Sequence, residues 1–230
     1  MTFHFIRIRY FLVALILAGC MSSEHFLRSR ERIVFFGDSI TQLGVKPGGY
    51  VTLVRDSLLA KHVSLGIEVI GAGISGNKVP DLQRRLQKDV LDKKPTVVVI
   101  YIGINDVWHW VTPGLKGTPK DEFETGLKEM IAVIQKGGAR VVLCTPSVIG
   151  EKYDGSNPQD AMLAEYSDIS RQVARETGSK LCDLRADFIE YLKSHNPGDE
   201  EKGILTVDRV HLNDQGNRFV AEQMLRSLEE

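Results

Sequence analysis

Ile33-Val34-Phe35-Phe36-Gly37-Asp38-Ser39 is an apolar run that stops abruptly on a glycine, an acid and a serine. Four apolar residues without alternation predict a strand buried on both faces, the kind found in parallel sheets covered by helices. The turn that follows delivers Ser39 to the rim of that sheet. A serine there can be a nucleophile, or it can cap the next helix, because Ser and Asp both make good N-caps. The stretch alone leaves both readings open.

The rest of the chain repeats the same alternation. Further apolar runs at 67–70, 96–101, 140–144 and 180–184 read as strands. Between them lie helical patterns: Tyr50, Val54, Leu58 and Leu59; a segment opened by Pro80 and Asp81; Phe123, Leu127, Met130, Ile131 and Ile134, closed by Gly137-Gly138; and Met162, Leu163, Tyr166, Ile169 and Val173, closed by Gly178. Residues 186–194 predict a shorter helix, and Phe219, Val220, Met224, Leu225 and Leu228 a final one. Strands each followed by an amphipathic helix predict an α/β fold, a three-layer α/β/α sandwich with a five-stranded parallel sheet, in a single domain over 31–230. Ligands of such sheets bind outside the carboxyl ends of the strands.

The chain of 230 residues is 43% hydrophobic and 26% charged, with a formal net charge of −1. It has no basic run, and that balance argues against nucleic acid as a partner. Arg7 and Arg9 precede an apolar stretch from Tyr10 to Ala18, which reads as an export signal over 1–19. As a helix, nine residues span about 14 Å, half of a ~30 Å hydrocarbon core. Leu17-Ala18-Gly19-Cys20 resembles a bacterial lipobox, which would make Cys20 the lipidated N-terminus of a membrane-anchored lipoprotein facing the periplasm, followed by a polar tether to residue 30. Cleavage removes both arginines and takes the formal charge from −1 to −3. Cys144 and Cys182 fall inside predicted strands and read as buried thiols, although an oxidising periplasm would permit a bridge.

Four clusters carry chemistry: Gly37-Asp38-Ser39, Gly71 to Asn77, Gly103-Ile104-Asn105-Asp106, and Asp208-Arg209-Val210-His211. The first three follow strands and therefore share one sheet edge. Acyl transfer needs a nucleophile, a base, an acid that orients the base, and donors aimed at the developing oxyanion, and these residues can fill all four roles. Gly71-Ala72-Gly73-Ile74-Ser75-Gly76 also fits a dinucleotide fingerprint, but Pro80 delays the helix and no acid ends the next strand. No H-x-H or H-x-x-x-H pair points to a metal, so neither cofactor nor metal is expected. The G-x-S-x-G elbow is absent, because Thr41 stands where its second glycine would be.

Gly37-Asp38-Ser39-Ile40, Ile74-Ser75-Gly76-Asn77, Gly103-Ile104-Asn105-Asp106 and Asp208 to His211, in that order, resemble the four blocks of the SGNH/GDSL hydrolases. The resemblance implies the flavodoxin-like SGNH hydrolase fold, Ser39 as nucleophile, His211 as general base and Asp208 as its orienting acid. It implies an oxyanion hole from the N–H groups of Ser39 and Gly76 and the amide of Asn105. Gly76 is expected to be glycine so that its N–H can approach substrate, and Asp38 and Asp106 to fix their loops by accepting hydrogen bonds. Gly71 departs from the pattern, since relatives often carry Asn there.

Trp108, His109 and Trp110 follow the third block and can line a substrate pocket, with 111–120 and 150–158 forming the rest of its rim. The expected activity is hydrolysis of acyl esters, short-chain or acetyl, on a small molecule or glycan. The alternatives are a lysophospholipase or thioesterase acting on lipid, and a glycan-binding lipoprotein that keeps the fold without catalysis.

Overall fold

In the computed structural model, which describes residues 26–229, the five apolar runs form one parallel sheet. The proposed signal over 1–19 and Cys20 lie outside the described residues. The strands are β1 (Arg32–Gly37), β2 (Glu68–Gly73), β3 (Val97–Tyr101), β4 (Arg140–Cys144) and β5 (Lys180–Cys182), in spatial order β2-β1-β3-β4-β5. Phe35 and Phe36 point to opposite faces and neither is exposed, so β1 is buried on both sides as its lack of alternation requires.

The helices are α1 (Ser39–Gly44), α2 (Tyr50–Lys61), α3 (Val79–Asp89), α4 (Ile104–Trp108), α5 (Lys120–Lys136), α6 (Asp160–Thr177), α7 (Leu184–His195) and α8 (Asp214–Glu229). α3, α5 and α6 pack in sequence as one layer, and α2 packs on α8 in the other, giving the three-layer sandwich. The sheet extends one way from β1 to β2 and the other way from β1 to β3. This reversal opens a crevice above the carboxyl ends of β1 and β3, the topological switch point of an α/β sheet.

Two strands differ from the sequence expectation. β2 runs on through Gly71-Ala72-Gly73, where glycines suggest a loop, because α1 packs against that part of the strand. A side chain on Gly71 would strike Val45, and one on Gly73 the backbone of Gln42. β5 ends early at Cys182 because Asp183 caps α7, accepting from Ala186 N at 3.2 Å. Cys144 and Cys182 face each other on adjacent strands as free, buried thiols, and the Cys144 thiol donates to Met224 Sδ at 3.7 Å.

Candidate active site

The turn after β1 sets the site's geometry. Gly37 is packed so closely against Thr41 and the Tyr101 carbonyl that no side chain fits there. Asp38, not Ser39, caps α1: its Oδ1 accepts from Ile40 N at 2.9 Å. Ser39 is therefore the first helical residue, and its N–H belongs to the first turn, where helices have no internal acceptor. Asp38 is fully buried, and burial pushes its pKa up to about 7, with the nearby Asp106 carboxyl adding to the rise.

Ser39 Oγ lies 2.9 Å from His211 Nε2, and His211 Nδ1 lies 2.7 Å from Asp208 Oδ2. A carboxylate can only accept, so the ring proton sits on Nδ1 and Nε2 is left to accept from the serine hydroxyl. Asp208 is aimed by its own turn, since Oδ1 accepts from the N–H groups of Val210 at 3.1 Å and His211 at 2.7 Å. Partial burial pushes the Asp208 carboxyl up, but these hydrogen bonds and the His211 ring outweigh it, and its pKa lies below the ordinary value. Between the two residues, Arg209 holds φ at +86°, a left-handed conformation uncommon outside glycine.

Gly76 has φ +75°, while the space around it is open. Its need for glycine is thus one of backbone conformation, which adds to the close approach expected from the sequence. Asn105, nearly fully buried, donates from Nδ2 to Asn77 O at 3.0 Å, with Asp38 Oδ2 at 3.4 Å. Asp106 Oδ1 accepts from Val79 N at 3.0 Å, pinning the start of α3 to α4, the short helix that follows β3. Burial raises its pKa to about 6.

Ser39, Ser75, Gly76, Asn105, Trp108 and His109 line a cleft of about 260 Å³, which Thr112, Leu115 and His211 complete. Burial and the Lys78 cation lower the pKa of His109, which lines the cleft. Trp110, which the sequence places in the pocket, lies outside it. Its indole packs over Gly117 and directs Nε1 toward Tyr166 Oη at 3.5 Å, because the turn after α4 carries it to the other side. Residues 150–158 do not line the cleft either. They support the Asp208 segment from behind: Gly150 N donates to Arg209 O at 2.8 Å, and the buried carboxylate of Glu151 accepts from Ile204, Leu205 and Thr206 N–H at 2.8, 2.7 and 2.6 Å. Glu151 follows no recognisable motif, and only its place in a predicted loop, where a buried acid would not be sought, describes it in the sequence. Among the described residues no group of three or more acidic, histidine or cysteine side chains is arranged to hold a metal ion.

Comparison with known proteins finds esterases of similar sequence and fold. The solved structure of the acetyl xylan esterase AlAXEase superposes with a TM-score of 0.83 at 50% identity, covering 86% of this chain and 99% of that one. The acetylxylan esterase of Geobacillus stearothermophilus is 36% identical over 217 residues, 87% of this chain and 94% of its own. The crystal structure of that enzyme, Axe2, superposes with a TM-score of 0.79, covering 88% and 96% of the two chains. Alanine replacements of a serine, an aspartate and a histidine in it are described as catalytic mutants, the last two residues being three positions apart. The Bacillus subtilis lipoprotein YqeF is 27% identical over 95% of each chain. Residues 35–219, from the middle of β1 into α8, match the GDSL-like Lipase/Acylhydrolase family, to which this chain belongs as a carboxylic ester hydrolase.

Proposed function

We propose that the protein is a serine esterase that removes acetyl groups from the hydroxyls of a glycan. The observation that carries this reading is the unbroken hydrogen-bonded line from Asp208 through His211 to Ser39, opening on a cleft whose walls hold Gly76 and Asn105. Ser39 Oγ attacks the ester carbonyl carbon while His211 Nε2 takes the hydroxyl proton. The oxyanion is held by the N–H groups of Ser39 and Gly76 and by Asn105 Nδ2, each worth about 3–4 kcal/mol in the transition state. Collapse of the tetrahedral intermediate breaks the bond to the alcohol oxygen, which takes the proton from His211 and leaves. Water, deprotonated by His211, then releases acetate from Ser39. Asp208 stays ionised throughout, in keeping with its lowered pKa.

The acetyl and glycan parts of the proposal draw support from the acetylxylan esterases among the relatives, from the modest cleft, and from Trp108 beside it, a face on which a sugar can stack. One observation favours a lipid ester instead: Leu115, half-exposed, gives the cleft an apolar rim. Export and anchoring through Cys20 draw support from the charged and apolar pattern of residues 1–19 and from the lipoprotein relative. Cys20→Ser should then release the protein from the membrane fraction.

The decisive assay is hydrolysis of p-nitrophenyl esters of increasing chain length beside acetylated xylo-oligosaccharides, with no added metal. Wild-type protein should prefer acetate, and Ser39→Ala should lose about 10³-fold or more of the activity. Activity retained by Ser39→Ala, or abolished by EDTA, overturns the serine mechanism. Faster cleavage of octanoate than acetate transfers the case to the lipid reading.

A further inference from the structure

Arg85 lies on α3, away from the Asp208–His211–Ser39 line, yet its guanidinium ends in the scaffold of the site. Nη2 donates to Gly37 O at 2.7 Å, two residues before Ser39. Nη1 donates to Ala72 O at 2.8 Å and to Asp89 Oδ2 at 3.0 Å, and Nε donates to Asn77 Oδ1 at 2.7 Å. The group stacks over Phe36, its Cζ 4.4 Å from the ring centroid. Asn77 follows Gly76 directly, and its backbone oxygen is the acceptor that holds the Asn105 amide at 3.0 Å. Gly37 O also accepts from Ile74 N at 3.2 Å, closing the frame between the ends of β1 and β2.

One planar group therefore fixes the end of β1, the end of β2 and the residue between Gly76 and Asn105. These are the anchors of all three donors assigned above to the oxyanion. The ion pair with Asp89 does not account for the arrangement, because this side chain is 13% exposed and directs three of its four hydrogen bonds at main-chain and amide oxygens instead. A lysine in its place keeps the charge but not the fork, since one ammonium cannot reach Gly37 O, Ala72 O and Asn77 Oδ1 together.

We infer that Arg85 is the positioning residue of the oxyanion pocket, acting through Asn77 and the carbonyls of Gly37 and Ala72 and touching no reacting atom. The inference rests on the serine mechanism proposed above. Donors act on the transition state only if they sit within hydrogen-bond distance of the oxyanion, and a misplacement of about 1 Å can cost 10²-fold. The loss should therefore appear in kcat rather than in KM.

The test compares Arg85→Lys, Asn77→Ala, the double variant and Asp89→Asn on p-nitrophenyl acetate, with kcat counted per Ser39 labelled by a fluorophosphonate. Arg85→Lys should lower kcat about 10- to 100-fold with KM within about twofold. Asn77→Ala should do the same, the double variant should add little, and Asp89→Asn should stay within about twofold of wild type. Counting per labelled serine removes any loss of folded protein, so a merely structural role leaves kcat unchanged. Wild-type kcat in Arg85→Lys, fully multiplicative losses in the double variant, or an equal loss in Asp89→Asn each overturn the inference. Activity retained by Ser39→Ala identifies failure of the serine mechanism itself.

Discussion

The two halves of the site are built in different ways. Ser39, Gly76 and Asn105 each stand within four residues of a strand end, so the sheet itself sets their positions. Asp208 and His211 sit in a stretch from Asn196 to Asn213 that contains no helix and only one bridge, Thr206 to Leu212. A buried carboxylate at its centre helps to steady that stretch: Glu151 gathers three consecutive N–H groups, and its backbone oxygen accepts from Asn196 Nδ2 at 3.0 Å. The proposed nucleophile and oxyanion donors inherit the register of paired strands, whereas the proposed base and its acid depend on a local polar knot. Errors in the two halves should therefore fail differently.

The largest effect should come from the loop half. Asp208→Asn loses the acceptor that fixes the His211 tautomer and should lower kcat about 10³- to 10⁴-fold on p-nitrophenyl acetate; a loss under tenfold would separate Asp208 from the relay. On the strand side, Asn105→Ala removes one oxyanion donor and should cost about 10²–10³ in kcat with little change in KM. If KM rises while kcat stays, Asn105 binds substrate and the division between the halves is drawn wrongly.

Glu151→Gln should separate the halves in stability. The amide offers one oxygen where the carboxylate offered two, at a cost of about 1.5–3 kcal/mol for hydrogen bonds to a charge, or about 5 °C in the melting midpoint. Amide exchange should quicken at Leu205 and Thr206 and stay slow in β1 and β3, and uniform quickening would break the distinction.

The narrowest effect, confined to high pH, concerns Asp106. Its folded pKa of about 6 lies above the ordinary 3.8, so the folded chain holds this proton more tightly than the unfolded one. The group's contribution to stability is thus full below about pH 4 and is lost as the pH rises through 6. Asp106→Asn keeps an oxygen for Val79 N–H and cannot ionise, so it should gain about 3 kcal/mol relative to wild type at pH 8 and little at pH 4. An equal offset at both pH values would place the effect in packing.

The same contrast explains what the sequence discloses. Strand-end residues announce themselves, because an apolar run cut by Gly37-Asp38-Ser39 or Gly103-Ile104-Asn105 is local, and the four blocks in order place the rest. Glu151 and Arg85 act across 54 and 48 residues, on Leu205 N and Gly37 O, and nothing adjacent in sequence marks such a partner. Gly71 and Gly73 mislead because glycine commonly breaks a strand, while here the missing side chains let α1 lie against β2. The choice between Ser39 and Asp38 as cap turns on one residue of phase, which local propensity does not resolve. Trp110 is misplaced for a similar reason: one step along the turn from His109 sends its ring away from the cleft.

Phe26 packs under Arg140 and Lys180, the first residues of β4 and β5, so the described chain enters the body at the amino edge of the sheet. Ser39 waits at the carboxyl edge, and at ~3.3 Å per residue the six residues of β1 put about 20 Å between the two. The point at which the described chain begins and the mouth of the cleft thus lie at opposite edges of the sheet, so an attachment on the N-terminal side, as proposed through Cys20, would leave the cleft uncovered by its own anchor.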